Sequence, residues 1–261
     1  MLRSIWAWTA IAVLIVVWLP FLAVVRLFDR DPALYRTGYL FRRLGWAMTR
    51  VNPSWQVTIS GEYPEDPRLP YVVVSNHQSL ADVPVVSCLP WEMKWVGKTE
   101  LFSIPLTGWM MRMAGDIKLD RSEARSGAKA LLQARNYLRN RCSVIFFAEG
   151  TRSRDGRVLP FNPGAFHLAV REQVPILPIV IEGTGGALPK HDWRFGDATD
   201  IRLHILPAVE TKGLARKDAD RLSREIRDQI IQQIAAFRGV PPSDVDGEVP
   251  QPLPATANGS Q

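Results

Sequence analysis

An imidazole and a carboxylate five positions apart, His77 and Asp82 in the run Asn76-His77-Gln78-Ser79-Leu80-Ala81-Asp82, are the first residues in this sequence whose types and spacing suit acid/base chemistry. On one continuous helix, residues with that separation point about 140° apart and share no face. His77 is therefore expected in a loop and Asp82 at the start of a helix, where Pro84 suits the first turn. A histidine held in one tautomer by a carboxylate acts as a general base near neutral pH. The plainer reading makes Asp82 an N-cap and His77 an ordinary loop residue.

A second concentration of chemistry lies at Ala148-Glu149-Gly150-Thr151-Arg152-Ser153-Arg154-Asp155-Gly156. Gly150 allows a close backbone approach, Thr151 supplies a hydroxyl, and the planar fork of Arg152 suits a phosphate. The alternative is a polar turn with solvated arginines. His167, His191 and His204 lack a carboxylate at useful spacing and are expected to be structural or exposed. No Cys/His cluster has metal-ligand spacing, so no metal is expected. Cys88 and Cys142 sit in apolar surroundings, which points to a reducing compartment rather than a disulfide framework.

The elements that must position these groups follow an α/β pattern. Short apolar runs at 71–75, 143–147 and 176–181 are expected as buried strands, with shorter strands at 94–97, 116–119 and 201–205. His77 then lies just past a strand's carboxyl end, where open α/β sheets place their ligands. Helices are expected from 122 to 141, with Ala128, Leu131, Leu132, Tyr137 and Leu138 inward, from about 164 to 172, and from 218 to 237. Trp109, Met110, Met111 and Met113 form a cluster that is either core or the lining of an acyl-chain groove.

Ser4 through Val25 carries no charge, and its 22 residues would extend about 33 Å as a helix, enough to cross a bilayer's hydrocarbon. Pro20 would kink that helix or mark a segment that enters one leaflet and returns. Arg3 precedes the stretch while Arg26, Arg30, Arg36, Arg42 and Arg43 follow it, which places the rest of the chain on the cytoplasmic side of an inner or other membrane. Asp31-Pro32 is expected to start an amphipathic helix with Leu34, Phe41, Leu44, Met48 and Val51 on one face and Arg36, Arg43 and Arg50 in a separate stripe. That apolar face suits either a membrane surface or the catalytic domain. The net charge of +6 and a pI near 9.6 call for an anionic partner, and no nucleic-acid motif is present. The domain plan is a membrane segment with an amphipathic helix over 1–55, one catalytic domain over 56–239 and a disordered, proline-rich tail over 240–261.

Asn76-His77 with Asp82, Phe147-Ala148-Glu149-Gly150-Thr151-Arg152-Ser153, and Val174-Pro175-Ile176-Leu177-Pro178 together resemble the ordered motifs of the PlsC-like glycerolipid acyltransferases over about residues 70 to 210. The resemblance implies a mixed, largely parallel sheet flanked by helices behind an N-terminal membrane-associated helical segment. It implies that His77 takes a proton from a lysophospholipid hydroxyl, that Asp82 orients it, and that Lys98, Arg121 and Arg152 hold the acceptor's phosphate. Glu149, Gly150 and Thr151 would form the acceptor loop. The acyl donor would be acyl-CoA or acyl-carrier protein, with no cofactor, and the acceptor lysophosphatidate, giving phosphatidate. Other lysolipids, such as a lyso-ornithine lipid, are alternative acceptors. A non-catalytic membrane lipid-binding protein is the alternative of another class. Ala148 stands where the family usually has proline, and Pro163 falls in a stretch that is often basic. The oxyanion would need donors, expected among the backbone N–H groups near His77.

Overall fold

A computed structural model describes residues 1–120, 122–190, 192–197 and 199–248. The chain runs α1 (Leu2–Phe28), α2 (Tyr35–Val51), β1 (Trp55–Gly61), β2 (Val72–Ser75), α3 (Asp82–Val86), β3 (Met93–Lys98), α4 (Thr107–Ala114), β4 (Ile117–Leu119), α5 (Ala124–Arg139), β5 (Ser143–Phe147), α6 (Gly164–Glu172), β6 (Ile176–Glu182), α7 (Thr184–Ala187), β7 (Thr199–Ile205) and α8 (Ala219–Arg238). Seven strands form one sheet in the order β1-β7-β6-β2-β5-β3-β4, parallel throughout except between β6 and β7. The sheet is mixed and largely parallel, as the motifs imply. Its central strands β2, β5 and β6 carry apolar side chains on both faces because both are covered: α5, α6 and α8 pack on one side, and α3 with the Leu188 loop packs on the other. Four neighbouring parallel strands, β6, β2, β5 and β3, therefore end at one edge.

Four sequence expectations change. β1 has no counterpart in the predicted elements and pairs with β7 at the far edge. The second helix begins at Tyr35 and not at Asp31-Pro32, because Leu34 takes a left-handed conformation and the Asp31 carboxylate caps a separate turn at Ala33 N. On α5 Leu138 is buried and Leu131 and Tyr137 pack against the core as expected, but Ala130 and Ala134 complete that face while Ala128 and Leu132 are exposed. Of the expected tail, residues 240–248 pack on the domain: Val245 is fully buried, Val158 N donates to Val245 O at 2.8 Å, and Arg227 pairs with Asp246. Residues 249–261 lie outside the described residues.

Helix α1 continues uninterrupted through Pro20 and is the one described helix long and apolar enough to cross a membrane. Its Leu22 packs with Leu44 of α2 and Met110 of α4, flanked by Phe41, Met48 and Met113, so the apolar face of α2 is satisfied by protein. Met110 is thus core, while Trp109 is exposed beside it. Beneath this cluster lies a fully enclosed charge quartet. Lys94 Nζ donates to Glu92 Oε1 at 2.8 Å, to Ala114 O at 2.7 Å and to Leu34 O at 3.2 Å, and Arg42 reaches Glu92 at 3.4 Å and pairs with Asp116. Two positive and two negative groups cancel there, which makes their burial tolerable.

Candidate active site

β2 ends at Ser75, and the next residue fixes the loop. The Asn76 amide gives Nδ2 to Ile181 O at 2.8 Å and takes Ile181 N at 2.9 Å, imitating a strand pairing between the ends of β2 and β6. His77 follows, its ring stacked on Phe147 at 4.0 Å and its Nδ1 2.6 Å from Asp82 Oδ2. Asp82 starts α3 and is fully buried. The same Oδ2 accepts Gln78 N at 2.8 Å and Ser79 N at 3.0 Å, and Oδ1 accepts the Thr184 hydroxyl. An ionised carboxylate only accepts, so Nδ1 carries the hydrogen and Nε2 keeps a lone pair. This arrangement can take a proton from a hydroxyl.

Glu149, past the end of β5, holds the loop from the other side. Its Oε1 accepts His77 N at 2.6 Å and its Oε2 accepts Leu159 N at 3.0 Å. Burial pushes its carboxyl up to about 8, against the opposing pull of those two N–H donors. Ser153 N donates to His77 O at 2.8 Å, which ties the Arg152 loop to the histidine. Gly150 has φ +70, and a Cβ there would meet Asn162 Nδ2 at 2.6 Å, so glycine serves the turn itself. Ala148, where proline is usual, uses its N–H on Ser75 O at 3.0 Å.

The cations gather around Lys190, on and near the segment that Ser153 ties to His77. Arg152 is half-buried, Lys98 at the end of β3 is exposed, and Thr151 is exposed. Lys190, from the loop after α7, donates to Arg152 O at 3.0 Å. Its ammonium is held below the ordinary lysine range by partial burial and by the nearby charges of Arg154, Arg152 and Lys98. Among the described residues none of these four cations has a carboxylate within ion-pair distance. Gln78, Ser153, Arg154 and Lys190 line one cavity with Gly185 and Gly186. Arg121 lies outside the described residues.

A model of the family described as Acyltransferase matches residues 56–182. Chloroplastic 1-acyl-sn-glycerol-3-phosphate acyltransferase BAT2 of Brassica napus is 36% identical over 80% of this chain and 59% of its own length. The mouse 1-acyl-sn-glycerol-3-phosphate acyltransferase alpha is 35% identical over 67% of this chain and 62% of its own. The chain belongs to the acyltransferase family. The solved structure of the 1-acyl-sn-glycerophosphate (LPA) acyltransferase, PlsC, from Thermotoga maritima superimposes on the acyltransferase fold with a TM-score of 0.72 at 26% identity, covering 91% of this chain and 95% of that one. The chain spans about 60% of the length of the two curated relatives named here.

Within the acyltransferase domain, the expected pair His77–Asp82 and the Glu149–Arg152 loop meet at one edge. The amides of His77, Gln78 and Ser79 all point at carboxylates, so the expected oxyanion donors are not these three. Thr184 and Lys190 have no counterpart among the sequence candidates. Lys190 carried a weak signal as a cation soon after the last central strand, whereas Thr184 carried none.

Proposed function

We propose that this acyltransferase moves a fatty acyl group from a thioester donor, acyl-CoA or acyl-carrier protein, to the free hydroxyl of lysophosphatidate, giving phosphatidate. His77 Nε2 removes the hydroxyl proton as the oxygen attacks the thioester carbonyl. The tetrahedral intermediate collapses by breaking the C–S bond, and the thiolate takes the proton back from the imidazolium. Asp82 stabilises that imidazolium. The observation that carries this reading is the juxtaposition of a carboxylate-held imidazole with Lys98, Arg152, Arg154 and Lys190, cations without carboxylate partners and suited to a phosphomonoester.

The test is His77→Ala in purified full-length protein, with a panel of lysolipids and both donor types. A loss of about a hundredfold or more is expected, with free fatty acid absent when acceptor is omitted. Arg152→Ala should raise KM for lysophosphatidate about tenfold, the equivalent of one phosphate contact worth about 1.4 kcal/mol. It should leave turnover of an acceptor lacking the phosphate unchanged. Equal use of both acceptors by the wild type would exclude lysophosphatidate as the preferred substrate.

The membrane reading rests on how α1 is attached. Near its start Trp8 Nε1 donates to Trp193 O at 2.7 Å and Ser4 Oγ accepts Phe195 N at 3.1 Å, while Leu22 near its end packs on α2 and α4. A spanning helix would separate those ends by the hydrocarbon thickness, on the order of 30 Å. These contacts support a helix lying along one leaflet, with its exposed Trp6, Val13, Val17, Phe21 and Val24 toward lipid, and the arginines that follow it support a cytoplasmic catalytic domain.

A further inference from the structure

Asp82 presents two oxygens with unequal partners. Oδ2 serves His77, Gln78 N and Ser79 N, whereas among the described residues Oδ1 has one donor, the hydroxyl of Thr184. We infer that Thr184 is a positioning residue for the reaction, its hydroxyl fixing the Asp82 carboxylate so that Oδ2 stays on His77 Nδ1. The inference rests on the reading of His77 as the base.

Three features make the contact a built one. Thr184 is fully buried, so no water competes for the hydroxyl. Gly183 before it has φ +90 and sits against the Asp200 carbonyl, where a Cβ would collide, so the turn out of β6 has one shape. The Asn76–Ile181 pairing locks the ends of β2 and β6, which sets Thr184 against Asp82 to within hydrogen-bond reach. The hydroxyl has a single hydrogen. Gln78 Oε1, at 3.5 Å, is the competing acceptor, and the carboxylate is both nearer and charged.

Thr184→Val replaces the hydroxyl with a methyl group of similar size. The expected result is a kcat about tenfold lower with KM for donor and acceptor within twofold, and recovery to within twofold of wild type in Thr184→Ser. In a His77→Ala background, Thr184→Val should change the residual rate by less than twofold, because its route to the reaction has been removed. Thr184→Ala and Thr184→Cys are measured alongside, so that misfolding of one variant leaves two others. Wild-type kcat in any folded variant lacking the hydroxyl overturns the inference, as does a tenfold loss that persists without His77. Full activity in His77→Ala alone would instead overturn the reading of the base.

Discussion

Replacing Asp82 with asparagine separates the charge of the carboxylate from its geometry. Gln78 N and Ser79 N, at 2.8 and 3.0 Å, both aim at the oxygen that meets His77 Nδ1. An amide nitrogen placed there would face two N–H donors, each left unpaired at about 1–3 kcal/mol. The asparagine carbonyl must therefore occupy that position, with its NH2 toward Thr184, whose hydroxyl can turn to accept. The histidine tautomer survives. What is lost is the attraction between carboxylate and imidazolium, about 4 kcal/mol for charge centres about 4 Å apart at an effective dielectric constant of about 20. A neutral acceptor retains about half of a charge-assisted bond. A net loss of about 2 kcal/mol corresponds to a kcat about thirtyfold lower. The assay is initial-rate release of thiol from the donor at saturating lysophosphatidate. A loss near the 10⁴-fold that the same change produces through the wrong tautomer in a serine-protease triad would refute the amide-orientation argument. A loss below threefold would refute the role of the charge.

Two further outcomes concern stability. Lys94→Met leaves Glu92 and the carbonyls of Leu34 and Ala114 without their buried donor, so about 3–5 kcal/mol should be lost. In a domain of this size that lowers the melting temperature by about 10 °C, and a drop under about 2 °C would show that the quartet is not coupled to folding. Glu149 titrates near 8 in the folded protein against 4.5 for an ordinary glutamate, so the unfolded chain loses its proton first as pH rises. Its contribution is fully present below about pH 4.5 and disappears through about pH 8, at no more than about 1.4 kcal/mol per pH unit. Denaturation midpoints in detergent across that window should fall more steeply in the wild type than in Glu149→Gln. Identical slopes would contradict the assignment.

What could be read in advance depended on whether the signal was local. β2, β5 and β6 are unbroken apolar runs because both faces of the sheet are covered, and they were found in place. β1 instead alternates buried Trp55 with exposed Gln56 at the sheet's edge, a weaker pattern than a run. On α5 the large residues Leu131, Tyr137 and Leu138 face the core as their spacing predicts, whereas Ala130 and Ala134, buried beside them, carry too little apolar signal to be told from the exposed Ala128. His77 and Asp82 stand five positions apart and announce themselves. Thr184 reaches the same carboxylate from 102 positions away, through a pairing that exists only once β2 and β6 are adjacent.

The enclosed quartet bears on how the protein can be handled. Arg42 sits on the second helix, yet Glu92 and Asp116 belong to the sheet's own segments. Trimming residues 1–51 to obtain a detergent-free fragment would strip two interior anions of their guanidinium and leave a hole where the helix had been. The amphiphilic front end and the α/β body are thus joined through one buried ion network, and solubility has to be engineered on the exposed apolar side chains of α1 while its inner face is left intact.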